Sequence, residues 1–238
     1  VFVATSAGNS GPGVSTLGNP GTMPWLTTVG ASTQPRFFQG TIELGNGATY
    51  IGASITPGTG VAPLVDAAIA GGDLCTPGTL NPALVSGKIV LCRRGVIGRA
   101  DKSLAVQQAG GVGMIMYENS NDSNLFSDSH WVPSVHIDQT PGLAIKAYIA
   151  GTASPTARLV TGQVSEWPSA PSMTLFSSRG PNPVSPDIIK PDITAPGLQI
   201  LAGYTPTPIV GLDGETCLDL VPTALRGTLR VIARAACA

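Results

Sequence analysis

Apolar positions along this chain fall in short blocks, separated by stretches rich in Gly, Pro, Ser, Thr and Asn. The opening block, Val1-Phe2-Val3-Ala4, is continuously apolar and predicts a strand covered on both faces, as in a parallel sheet. A Gly-rich polar loop runs on to Pro24. Leu26-Thr27-Thr28-Val29 then predicts a second short strand, closed by Gly30-Ala31-Ser32. From about Arg36 the pattern changes. Thr41-Ile42-Glu43-Leu44 and Ala48-Thr49-Tyr50-Ile51 flank Gly45-Asn46-Gly47, a hairpin signal. Residues 88–92, 112–117, 134–137 and 157–160 predict further strands. Between them, residues 101–109 predict a short helix stopped by Gly110-Gly111. Thr140-Pro141 predicts the start of another helix, with Leu143, Ala144, Ala147 and Tyr148 on one face and Gly151 at its end. The strand-helix-strand succession over residues 55–160 reads as a self-contained module. Leu175 onward returns to the first character. Beyond Cys217, Arg226, Arg230 and Arg234 recur every four residues among Leu, Val, Ile and Ala, which predicts an amphipathic basic helix.

Composition narrows the class. A hydrophobic share of 42% supports a real core, while 11% charged residues is well below the usual globular fraction. With 30 Gly and 21 Pro, short elements joined by long loops are expected. A formal charge of −1 gives no footprint for nucleic acid, and no apolar block is long enough to span a bilayer. The four cysteines, Cys75, Cys92, Cys217 and Cys237, lack the close pairs of a zinc site. Cys75 and Cys92 are the disulfide candidates for an oxidising compartment, two buried thiols being the other reading. Asn121-Asp122-Ser123 is an N-glycosylation sequon.

Ala7-Gly8-Asn9-Ser10-Gly11 follows the first apolar block, Trp25 to Ala31 the second, and Phe176-Ser177-Ser178-Arg179-Gly180-Pro181 with Lys190-Pro191-Asp192-Ile193-Thr194-Ala195-Pro196-Gly197 closes the readable part. Together, in this order, they resemble the C-terminal half of a subtilisin-like serine protease core. The resemblance implies that Asn9 is the oxyanion-hole asparagine and that the 177–197 stretch is scaffold. The segment from Gly87 to Gly95, the run from Lys102 through Ile115 and Val132-Pro133-Ser134-Val135-His136-Ile137 are similar to a protease-associated (PA) domain, a module assigned to protein or substrate contact and access. The fold expected is therefore α/β: a fragment of a subtilisin-like parallel-sheet core interrupted by a mixed, β-rich PA domain with short flanking helices. Its parts are core at 1–35, a connecting β segment at 36–54, PA domain at 55–160, resumed core at 161–216 and an atypical tail at 217–238.

The family's nucleophile motif is missing where counting from Gly197 would place it, near Ala224. The 217–238 tail is accordingly expected to be frame-shifted or the diverged end of a pseudo-protease. The catalytic Asp and His would precede residue 1, so the chain reads as an internal fragment. His130 and His136, its only histidines, fall inside the PA-like module and are expected to be structural, as are Asp187 and Asp192 in Pro-rich loops. The resemblance implies a secreted endopeptidase acting on protein or peptide through an acyl-enzyme, the fragment alone being inactive. No cofactor is identified, and calcium is implied by the resemblance alone. Two alternatives remain open: a non-catalytic PA-type interaction protein or pseudo-protease, and a basic-tailed protein of the membrane surface.

Overall fold

Three parallel strands, β1 (Ala4–Ser6), β2 (Thr27–Ser32) and β10 (Ile193–Pro196), lie in the order β1-β2-β10 in the computed structural model, which describes residues 1–121, 124–166, 169–202 and 230–234. They belong to a unit made of Val1–Phe37 and Glu166–Ile200. The central strand is built from small and β-branched residues, which suit an extended backbone. Its buried positions are Thr28, Gly30 and Ser32 rather than large apolar ones. Gly30 is there for space: a Cβ would lie 2.9 Å from the Met173 side chain. Polar bonds do much of the joining. Asp192 Oδ2 accepts from Thr28 N at 2.6 Å and from Lys190 Nζ at 2.7 Å, and Lys190, itself buried, also donates to Leu26 O at 2.6 Å. The hydrogen bond from Lys190 and then that from Thr28 hold the Asp192 carboxyl below its ordinary pKa.

The second unit, Phe38–Ser165, takes in a closed barrel. Its strands are β3 (Arg36–Leu44), β4 (Thr49–Ala53), β5 (Ala62–Asp66), β6 (Ile89–Arg93), β7 (Gly113–Tyr117), β8 (Ser134–Ile137) and β9 (Thr156–Glu166), in the order β3-β4-β8-β7-β6-β5-β9. β5 through β8 pair in parallel, and β3–β4, β4–β8 and β5–β9 are antiparallel. Helices α1 (Pro82–Val85), α2 (Arg99–Gln108) and α3 (Gln139–Gly151) complete it. Alternate side chains of the central strands serve two cores. Ile89 and Leu91 of β6 and Ile115 of β7 pack with Ile137 and with Ile145 of α3. Val90, Cys92, Met114 and Met116 pack on the other side with Ala105 and Val106 of α2. Strands buried on both faces read as unbroken apolar runs, which is why β6 and β7 stand out in the sequence. The hairpin β3–β4 is part of the barrel wall: Ile42 and Leu44 join the first core, and Ala53 pairs with His136. The remaining described strands, β11 (Leu198–Ala202) and β12 (Arg230–Arg234), pair with each other.

Four expectations need correction. The first strand is not residues 1–4 but Ala4–Ser6, and Val1, Phe2 and Val3 are exposed, because no described element covers that apolar run. The helix expected to start at Thr140 includes it: Asp138 takes the N-cap position, and Asn121 Oδ1 accepts from Thr140 N at 2.6 Å. Its buried positions are Gly142 and Ile145, while Leu143 is exposed. Gly142 sets that face, since a Cβ there would come within 2.3 Å of Tyr117 Cβ and so the helix backbone rests against the ring-bearing residue. Finally, Arg230–Arg234 is a strand, not part of a helix. Adjacent β-branched Val231 and Ile232 favour the extended backbone, and β11 supplies the partner. The rest of the expected tail, including the stretch near Ala224 where the nucleophile is expected by counting, and Asp122-Ser123 of the sequon lie outside the described residues.

Candidate active site

Because β1, β2 and β10 are parallel, their carboxyl ends all lie on one side, the place where α/β sheets bind ligands. A cleft of about 520 Å³ occupies it, lined by residues 4–9, 29–31, 176–177 and 195–197 together with Asn19 and Pro20. Asn9 sits on this wall just past β1, half-buried. Among the described residues its side-chain amide has no hydrogen-bond partner, so its N–H groups are available to a ligand oxygen.

The loop carrying Asn9 is held at both sides by the 175–179 segment. Gly8 O accepts from Ser178 N at 2.9 Å, Ser10 N donates to Ser178 Oγ at 3.0 Å, and Gly11 N donates to Phe176 O at 3.0 Å. Arg179 and Thr16 exchange bonds, Thr16 N to Arg179 O and Arg179 N to Thr16 Oγ1, both 2.9 Å. Two glycines permit this approach. Gly8 has φ +102°, and a Cβ on Gly11 would meet Ser177 O at 2.2 Å. The buried hydroxyl of Ser177 accepts from Ala31 N at 2.9 Å, tying the same segment to β2. The sequence places the Ser177-Ser178 pair only in a scaffold stretch. The structure gives each hydroxyl a specific partner, one on each wall of the cleft.

The other candidate residues are elsewhere. Cys75 and Cys92 form a disulfide between β6 and the loop before α1, with Cα atoms 5.7 Å apart. Lys102 of α2 donates to Leu74 O of that loop at 2.6 Å, and burial brings its amine down to about 8. Asp187 is exposed. His136 and His130 are bound into the barrel. His136 Nδ1 accepts from Phe126 N at 3.1 Å, so the ring proton is on Nε2, which faces Glu118 Oε1 at 2.9 Å. Ser103 Oγ donates to Ala100 O, so at the 3.1 Å contact with His130 Nδ1 it is the acceptor and His130 the donor. Desolvation of the His130 ring lowers its pKa to about 4, although part of the residue reaches solvent. Beside them, Arg99 grips Asp128 through two nitrogens and stands 4.4 Å over the Phe126 ring. Burial alone would raise Asp128, but the Arg99 charge and hydrogen bonds bring its carboxyl far below the usual range. Neither histidine lines the cleft. No group of three or more His, Cys, Asp or Glu is arranged to hold a metal among the described residues, and no described helix is long and apolar enough to cross a membrane.

A parallel sheet with an asparagine amide at its carboxyl-end cleft, and a mixed barrel inserted between the sheet's second and third strands, define a class of α/β protein with an accessory β domain. Comparison with known proteins gives that class its family. Residues 60–145 match the PA domain. The chain is 42% identical over 229 residues to the subtilisin-like protease SBT1.4 of Arabidopsis thaliana, covering 93% of this chain and 29% of that protein. With the subtilisin-like protease SBT5.6 of the same plant it shares 47% over 217 residues, covering 86% and 27%. Among solved structures it is similar to the psychrophilic subtilisin-like protease Apa1 from the Antarctic psychrotroph Pseudoalteromonas sp. AS-11, with a TM-score of 0.38 and 19% identity over 70% of this chain and 49% of that one. The chain belongs to the subtilisin-like protease family and carries a PA domain. It spans less than a third of the length of these plant relatives.

Proposed function

We propose that this chain is a segment of a secreted serine endopeptidase that cleaves peptide bonds through an acyl-enzyme, with the Asn9 amide donating to the oxyanion of the tetrahedral intermediate. The observation that carries the reading is the position of Asn9: its side-chain amide without a partner among the described residues, at the carboxyl-end cleft, on a loop fixed by bonds to Phe176 and Ser178. A fixed donor needs no reorganisation when charge develops, which is how such a group favours the transition state over the bound substrate. The Cys75–Cys92 disulfide supports an oxidising, extracellular setting. The PA barrel serves contact with protein rather than chemistry. The 238-residue polypeptide by itself is inactive, because a Ser-His-Asp mechanism needs a histidine base and both of its histidines are engaged by residues of the PA unit.

The test is a chimera in which residues 1–197 replace the aligned segment of Arabidopsis SBT1.4. It is expected to hydrolyse a denatured protein and to react with a fluorophosphonate, while the 238-residue chain alone does neither. A folded chimera with no activity, or rapid labelling of the isolated chain, contradicts the proposal.

A further inference from the structure

We infer that Ser178 is the positioning residue of the Asn9 amide, its buried hydroxyl and backbone N–H fixing the loop on which that side chain is carried. This inference rests on the oxyanion reading above and deepens it. Ser178 is fully buried and meets the loop at two points on either side of Asn9: its N–H donates to Gly8 O, and its Oγ accepts from Ser10 N. The partners are 168 residues apart in sequence, so the contact is wholly tertiary. Gly8 takes a φ of +102°, and a Cβ there would lie 2.8 Å from Ser178 Oγ, so the hydroxyl fills the space that the missing side chain leaves.

Bracketing matters physically. An asparagine side chain has two rotatable bonds, and its amide direction follows the φ and ψ of its own residue. Bonds at Gly8 and Ser10 fix the peptide groups before and after Asn9, and so restrict those two angles together. Removing the Ser178 hydroxyl frees ψ of Asn9 and leaves the Ser10 N–H without its acceptor, so that water has to satisfy it. Ser177 completes the arrangement from the opposite side. Its hydroxyl takes Ala31 N of β2, so neighbouring serines set the loop on one wall of the cleft and the strand on the other. An amide held this way is pre-aligned for an oxygen in the cleft; an amide on a loose loop would have to be ordered in each turnover.

The experiment uses the 238-residue chain labelled with 15N-asparagine and 15N-serine, in the wild type and in Ser178→Ala, Ser178→Thr and Asn9→Asp, the last identifying the Asn9 side-chain signals. In Ser178→Ala, the Ser10 amide is expected to exchange about tenfold faster or more, and the Asn9 side-chain order parameter to fall below about 0.6. Ser178→Thr, which keeps the hydroxyl, restores both. The buried Asn182 side chain, which donates to Thr22 O at 2.8 Å, reports on the fold and stays unchanged. If Asn182 is disturbed as well, Ser178→Cys, near in size but a weak acceptor, takes the place of the alanine variant and the same comparison decides. The inference is overturned if Ser10 loses protection while the Asn9 side chain is unmoved, or if threonine fails to rescue. Because the readout is amide order and not turnover, a failure here leaves the chimera result, and with it the oxyanion reading, separately decided.

Discussion

The chemistry of individual side chains in this protein is set by where each is buried and what remains for it to bond. His130 is the clearest case. In the unfolded chain it binds a proton near 6.5, whereas in the folded barrel it stays neutral down to about 4. Between these values the unfolded state holds the extra proton, so stability falls as the pH drops through that window and this residue contributes no further loss below it. Urea unfolding at pH 7.5, 5.5 and 4.5 should show a falling midpoint, and His130→Asn should remove that part of the slope. An unchanged slope in the variant contradicts the assignment. Nearby, Asp128→Ala leaves the Arg99 charge buried opposite nothing of opposite sign at that contact. The expected cost is ~3–5 kcal/mol in the same unfolding measurement. Little of this was visible in the sequence. That the histidines are structural followed from their setting, but the pairing of Arg99 with Asp128, and of each serine of Ser177-Ser178 with its own wall, depends on long-range contacts that no local pattern encodes.

Among the elements, legibility followed burial. β6 and β7 were readable because both faces are covered, and the hairpin because Gly45-Asn46-Gly47 fixes its turn, where Gly47 has φ +86°. α3 was found but its inward face was not, since apolar spacing alone does not show that a glycine, pressed on Tyr117, would select the contact. The small residues of β2 carry almost no hydrophobic signal; its place in the sheet is fixed by bonds to Asp192, Ser177 and Thr174. Two consequences can be measured on the barrel. Gly142→Ala should lower stability by ~1–3 kcal/mol by forcing α3 away from Tyr117, with a matching fall in thermal midpoint. Replacing both Cys75 and Cys92 by Ser should cost ~3 kcal/mol, the loop-closure value for a segment of this length. A double variant as stable as the parent would mean that Lys102 and the surrounding core hold the loop unaided.

For the molecule as a whole, the family is established by sequence over nearly the entire chain, and the activity is a proposal that turns on one amide. Motif order carried the family because the segments that line the cleft come from either side of the PA domain. The most direct measurement is the kinetics of Asn9→Ala in the SBT1.4 chimera with a peptide substrate. An oxyanion donor acts in the transition state, so kcat should fall by ~10²–10³-fold, a magnitude established on a subtilisin rather than on this chain, while KM stays within about threefold. A kcat within a few-fold of the parent, or a loss that appears wholly in KM, contradicts the account.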